Sequence, residues 1–79
     1  MVGKVIDGQF VKVIRGSNTH SVRIYPTEDE RIEPEWTYRV RKPKLLTENE
    51  WETELKRFRG GKIEKFIQWL KEDRQAELE

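Results

Sequence analysis

Basic residues alternate with apolar ones along two segments of the chain. In residues 21–25 (SVRIY) and 36–42 (WTYRVRK), every second position is apolar and several intervening positions are arginine. Successive side chains of a β-strand point to opposite faces of a sheet. If the apolar positions lie inside, the opposite face carries arginines, and arginine binds phosphate in two-pronged geometry. We therefore predict a nucleic-acid-binding face on a sheet.

The outer residues of both segments define this predicted face. They are Arg23, Tyr25, Arg39 and Arg41, with Lys42 and Lys44 continuing the charge beyond the second segment. Residues 9–15 (QFVKVIR) are apolar on both faces, so their orientation stays open. If Val11 and Val13 are internal, Lys12 is external together with Phe10 and Ile14. Cations interleaved with aromatic rings form the platforms on which single-stranded nucleic acids stack. The predicted nucleic-acid-binding residues are Lys12, Arg23, Tyr25, Arg39, Arg41, Lys42 and Lys44.

The charge distribution supports this prediction only weakly. The chain has 16 basic and 15 acidic residues, a net charge of +1, far below that of a DNA-packaging protein. Five acids fall in residues 27–35, which leaves the neighbouring strand segments basic. The alternative is a solvated strand face, on which charges discourage edge-to-edge aggregation. Neither DNA nor RNA is favoured.

A second hypothesis is a protein-interaction module, such as an adaptor, an antitoxin-like protein or a small viral protein. Trp51, Phe66 and Trp69 lie in the predicted helical region, and tryptophan is enriched at interfaces. These three residues are the predicted partner interface, either in a homodimer or with another chain. The second helix also carries polar residues that would face a DNA groove in a helix-turn-helix, but the Gly60-Gly61 link is shorter than the three or four turn residues which that motif commonly uses.

Enzyme chemistry is not predicted. The chain has one His, no Cys and two Ser, which leaves few nucleophile and base pairs. His20 falls in a predicted turn, where a solvated ring is expected. The acids of residues 27–35 lack the spacing of a calcium loop, so we expect a solvated loop without metal. No cofactor is expected either.

The chain shows no signal peptide and no apolar run long enough for a membrane, so a cytoplasmic location is expected.

The elements that position these residues divide the chain near Pro43. Residues 1–44 are rich in Val, Ile, Thr and Tyr, and predict strands at 2–6, 9–15, 21–25 and 36–42. Thr47 and Glu50 form a predicted capping box, which begins a helix that ends at Gly60-Gly61. A second helix follows, with fraying expected after Asp73.

The predicted fold class is α+β: an antiparallel sheet of three to four strands in residues 1–44, followed by a helical hairpin in residues 45–79. At 79 residues a single domain, 1–79, is expected. The 39% charged content resembles the composition of thermophile proteins. A core this small favours homodimer formation as a further source of stability.

Overall fold

The computed structural model describes residues 2–79 and shows a small α+β fold. Four strands come first: β1 (Val2–Ile6), β2 (Gln9–Arg15), β3 (Thr19–Tyr25) and β4 (Trp36–Arg41). Helices α1 (Glu48–Phe58) and α2 (Ile63–Glu72) follow, and a short β5 (Glu77–Leu78) comes last. The strands form one antiparallel sheet in the order β1-β2-β3-β4-β5. The predicted α+β class is thus confirmed, with five strands instead of three to four.

The fifth strand corrects the expectation that the chain frays after Asp73. Gln75 adopts a positive φ of 52°, which turns the chain out of α2. Ala76 is 9% exposed and donates its N–H to the Leu70 carbonyl at 2.9 Å. Glu77 and Leu78 then pair with β4, and the Glu79 N–H donates to the Thr37 carbonyl at 2.9 Å. Backbone pairing, rather than apolar content, orders this end of the chain.

Both helices cover one face of the sheet, which we call the inner face. The register places His20, Val22 and Ile24 of β3 beside Val40, Tyr38 and Trp36 of β4. These positions share a core with the helices; its fully buried side chains include Val11, Val13, Val22, Ile24, Val40, Trp51, Leu55, Phe66 and Leu70. The predicted alternation of β3 and β4 is confirmed, and β2 turns Val11 and Val13 inward.

Local sequence explains how the helices begin and end. Thr47 accepts the Glu50 N–H at 3.2 Å, and the Glu50 carboxylate accepts the Thr47 N–H at 2.9 Å, as the predicted capping box requires. Gly60, with a φ of 83°, takes the left-handed conformation after the end of α1. Within residues 2–79, no helix is long and apolar enough to cross a membrane.

Candidate nucleic-acid interface

The face of the sheet opposite the helices, which we call the outer face, carries the predicted cations. Strand register places Lys12 of β2 directly beside Arg23 of β3, and Arg23 beside Thr37 of β4. Arg39 is two residues further along β4, and Arg41 two residues beyond it, opposite Thr19. The four cations therefore form a diagonal band across three adjacent strands. Alternation places this band outside because the inner positions of the same strands fill the core.

Two of these cations are held by carboxylates. The Lys12 ammonium lies 2.7 Å from the Glu30 carboxylate, which belongs to the acidic segment 26–35 between β3 and β4. The Arg39 guanidinium pairs with the Glu79 carboxylate, and Glu77 lies in register with Arg39. Both pairs are partly exposed, with 19% of the Lys12 side chain and 41% of the Arg39 side chain accessible. Ion pairs that solvent reaches contribute little net stability.

Arg23 and Arg41 have no such partner. The five ion pairs found in residues 2–79 involve neither guanidinium. Arg23 is partly buried beside Lys12, and like charges directly opposite each other on neighbouring strands are unfavourable. Arg41 is exposed at the end of β4. The unneutralised part of the band therefore lies on β3 and at the end of β4.

Lys42 and Lys44 extend the charge at the same end of the sheet. They lie in the turn after β4, where the Lys44 N–H donates to the Arg41 carbonyl at 2.9 Å. Neither residue makes an ion pair with any residue from 2 to 79. The structure thus places Lys42 and Lys44 next to Arg41, as the sequence predicts, but beyond the flat part of the outer face.

Tyr25 is much less accessible than predicted. It lies at the outer-face end of β3, but it is only 4% exposed, so its ring offers little surface for stacking. The accessible aromatic side chain here is that of Phe10, which pairs with Tyr25 from the neighbouring strand β2 and is partly exposed. The two ring centroids are 6.1 Å apart and the rings are inclined by 37°. Phe10 is not among the predicted site residues, although the sequence places it on the same face as Lys12 when Val11 and Val13 are internal.

The predicted partner interface is mostly internal. Trp51 and Phe66 are fully buried in the core, while Trp69 is partly exposed. The Trp69 ring packs edge-on against Trp51, with centroids 6.0 Å apart. The guanidinium carbons of Arg57 and Arg74 each lie 5.8 Å from the Trp69 ring centroid, so two cations flank its open side. Trp69 is therefore the accessible member of the three, at an open groove between α1 and the end of α2.

His20 corrects a further sequence expectation. It belongs to β3 instead of a turn, and it is 4% exposed. The Trp51 indole N–H donates to His20 Nδ1 at 2.8 Å. Burial, and then the nearby Arg15 charge, lower the pKa of His20 below its ordinary value of 6.5. An indole N–H can only donate, so Nδ1 carries no proton and His20 is a neutral structural residue.

The acidic segment between β3 and β4 is a structured turn region. Asp29 holds Arg31 through its carboxylate, at 2.9 Å from Nε, and this contact lowers the pKa of Asp29. The Glu35 N–H donates to the Ile24 carbonyl at 2.7 Å, which ties the segment to β3. In residues 2–79, no three His, Cys, Asp or Glu side chains lie close enough together to hold a metal ion.

In comparison with known proteins, no family model, curated protein or solved structure matches the chain.

Proposed function

We propose that the protein is a small non-enzymatic module that binds nucleic acid on the outer face of its sheet. The observation that carries this proposal is the diagonal band of Lys12, Arg23, Arg39 and Arg41 on the face that the helices leave uncovered. Polyanion binding gives a role to Lys12 and Arg23, two like charges on neighbouring strands of which Glu30 pairs with only Lys12. Lys42 and Lys44 lengthen the cationic surface at one end.

The band matches a phosphate backbone better than a compact anion. Its residues occupy different strands and successive same-face positions, which are about 7 Å apart along a strand. A single small anion would contact one or two of them, whereas a chain of phosphates contacts several in turn. Such contacts release counterions from the nucleic acid, so the affinity must fall steeply as salt increases.

The Arg23→Gln/Arg41→Gln variant tests the proposal. It removes two positive charges that make no ion pair with any residue from 2 to 79, and both side chains lie on the outer face. In fluorescence-anisotropy titrations with labelled oligonucleotides, we expect the dissociation constant to rise at least about tenfold at low salt. The slope of log affinity against log salt should decrease by about 1 to 2, because two phosphate contacts are lost.

The matched control is Lys62→Gln/Lys65→Gln. It removes the same charge from two exposed positions at the start of α2, on the helical side of the molecule. We expect this variant to bind nearly as well as the wild type. Equal weakening of both variants indicates unspecific attraction, and weakening of the control alone moves the interface to α2. Absence of binding by the wild type at low salt contradicts the proposal.

The protein-interaction alternative rests on Trp69, since Trp51 and Phe66 serve the core of this chain. It predicts an association that resists salt and is lost on Trp69→Ala substitution. Sedimentation of the wild type and of this variant at two salt concentrations separates the two functions. Salt-resistant dimers that Trp69→Ala dissociates would favour the alternative.

A further inference from the structure

We propose that the nucleic acid bound on the outer face is single-stranded, and that one of its bases stacks on Phe10. This inference rests on the proposed function and specifies its substrate class. It follows from the position of the Phe10 ring, from the glycine beneath it, and from the two cations beside it.

The Phe10 ring lies down across β1 instead of standing up from the sheet. A Cβ atom placed on Gly3 would be only 2.6 Å from Phe10 Cζ, so the far tip of the ring lies over Gly3 at the height of a side chain's first carbon. Any other residue at position 3 would push the ring away. Glycine here leaves room for an aromatic ring to spread over the backbone, an arrangement known to stabilise edge strands.

The ring is held in place on its other side by Tyr25. The centroids of the two rings are 6.1 Å apart, and Tyr25 is itself buried. Phe10 nevertheless remains partly exposed. A ring that is supported from two sides and open to solvent loses little freedom when a base stacks on it, which favours binding.

The cations lie where the phosphates of a stacked nucleotide need them. Lys12 is the next same-face residue after Phe10 on β2, about 7 Å along the strand. Arg23 is directly beside Lys12 on β3. A base that stacks on Phe10 therefore brings its flanking phosphates within reach of both side chains.

This arrangement selects unpaired bases. In a duplex, the faces of the bases are covered by their neighbours in the stack, so a ring lying on a sheet cannot reach them. Unstacked bases of a single strand have free faces, and stacking on an aromatic side chain is tolerant of sequence. Stacking one base on one ring changes the affinity by a factor of roughly 5 to 150.

The direct test compares the affinities of the wild-type protein for four labelled ligands, measured in anisotropy titrations at low salt. They are a thymidine oligomer, a uridine oligomer, an abasic oligomer of the same length, and a duplex of that length. The abasic oligomer keeps the phosphates and removes the bases, so it isolates the stacking contribution. We expect both base-bearing single strands to bind at least about fivefold more tightly than the abasic strand and the duplex.

Two variants assign this preference to Phe10. Phe10→Leu removes the ring, and we expect it to bind the base-bearing and abasic strands equally. Phe10→Tyr keeps a ring and should keep the preference. Circular dichroism establishes that both variants are folded, and the wild-type comparison stands even if Phe10→Leu does not fold.

The outcomes separate this inference from the proposed function. Binding of all four ligands with equal affinity contradicts stacking while it leaves polyanion binding in place. Tighter binding of the duplex than of the single strands also contradicts stacking. If none of the four ligands binds, the proposed function itself fails.

Discussion

His20 is a buried side chain that makes the free energy of unfolding depend on pH. Its Nδ1 accepts the Trp51 indole N–H, and burial lowers the pKa of His20 in the folded chain. The unfolded chain therefore takes up a proton at higher pH than the folded chain does. The stabilising contribution of neutral His20 is fully present above its ordinary pKa of about 6.5 and decreases as the pH falls below that value.

We expect the free energy of unfolding to decrease between about pH 7.5 and pH 5.5, by no more than about 1.4 kcal/mol. Urea denaturation followed by tryptophan fluorescence measures this change. Carboxylates titrate at lower pH, and the chain has no other histidine.

The control for this prediction is His20→Gln, which keeps an acceptor for Trp51 and cannot titrate. Its stability should be flat over the same interval. A wild-type protein whose stability is constant, or rises as the pH falls, would contradict the structural role given to His20.

At the scale of the elements, the proposed function makes the segment between β3 and β4 a competitor of the nucleic acid. It carries five acids, and Glu30 reaches the outer face to lie 2.7 Å from the Lys12 ammonium. Lys12 is therefore partly neutralised before any phosphate arrives. A phosphate that contacts Lys12 must displace Glu30.

Because of this competition, Glu30→Gln should tighten nucleic-acid binding. We expect a two- to tenfold decrease in the dissociation constant, since an exposed charge pair contributes about 0.2–1 kcal/mol and one negative charge also leaves the face. The matched control is Glu33→Gln, an exposed acid of the same segment that makes no ion pair with any residue from 2 to 79. If both variants tighten binding equally, the effect comes from net charge alone. If Glu30→Gln does not tighten binding, Glu30 does not compete with the nucleic acid for Lys12.

Sequence patterns specified most elements of this fold for local reasons. The strands are recognisable because residues 21–25 and 36–42 alternate between apolar and polar side chains. The start of α1 is recognisable because the capping box at Thr47 spans only four adjacent residues. The fifth strand is different, because Glu77 and Leu78 are both exposed and carry no apolar pattern. They pair with β4 only because α2 returns the chain to that edge of the sheet, which is a property of the assembled molecule.

For the whole molecule, the sequence predicts which residues share the outer face, but not how those residues pair or how exposed they are. The sequence indicates that Arg23, Arg39 and Arg41 share a face, because alternation alone decides it. It contains no local signal that Glu30 and Glu79 would neutralise two of the cations, since those contacts join distant segments. Burial of Tyr25 and exposure of Phe10 likewise depend on how neighbouring strands pack.

At this scale the two faces of the sheet differ in what covers them and in the residues that they carry. The inner face and both helices form the core, which uses most of the large apolar side chains. Both helices lie against the inner face, and the described part of the outer face carries cations, the partly exposed Phe10 ring, the exposed Val5 and hydroxyl groups. The proposed function requires the ligand contacts to be confined to that outer face.

Titration of the ¹⁵N-labelled protein with a single-stranded oligonucleotide, followed by two-dimensional ¹H–¹⁵N NMR spectra, tests that claim most directly. We expect the largest shift changes at Phe10, Lys12, Arg23, Arg39 and Arg41, with little change along the exposed sides of α1 and α2. The largest changes at Trp69 and along α2, with a silent outer face, would contradict the account.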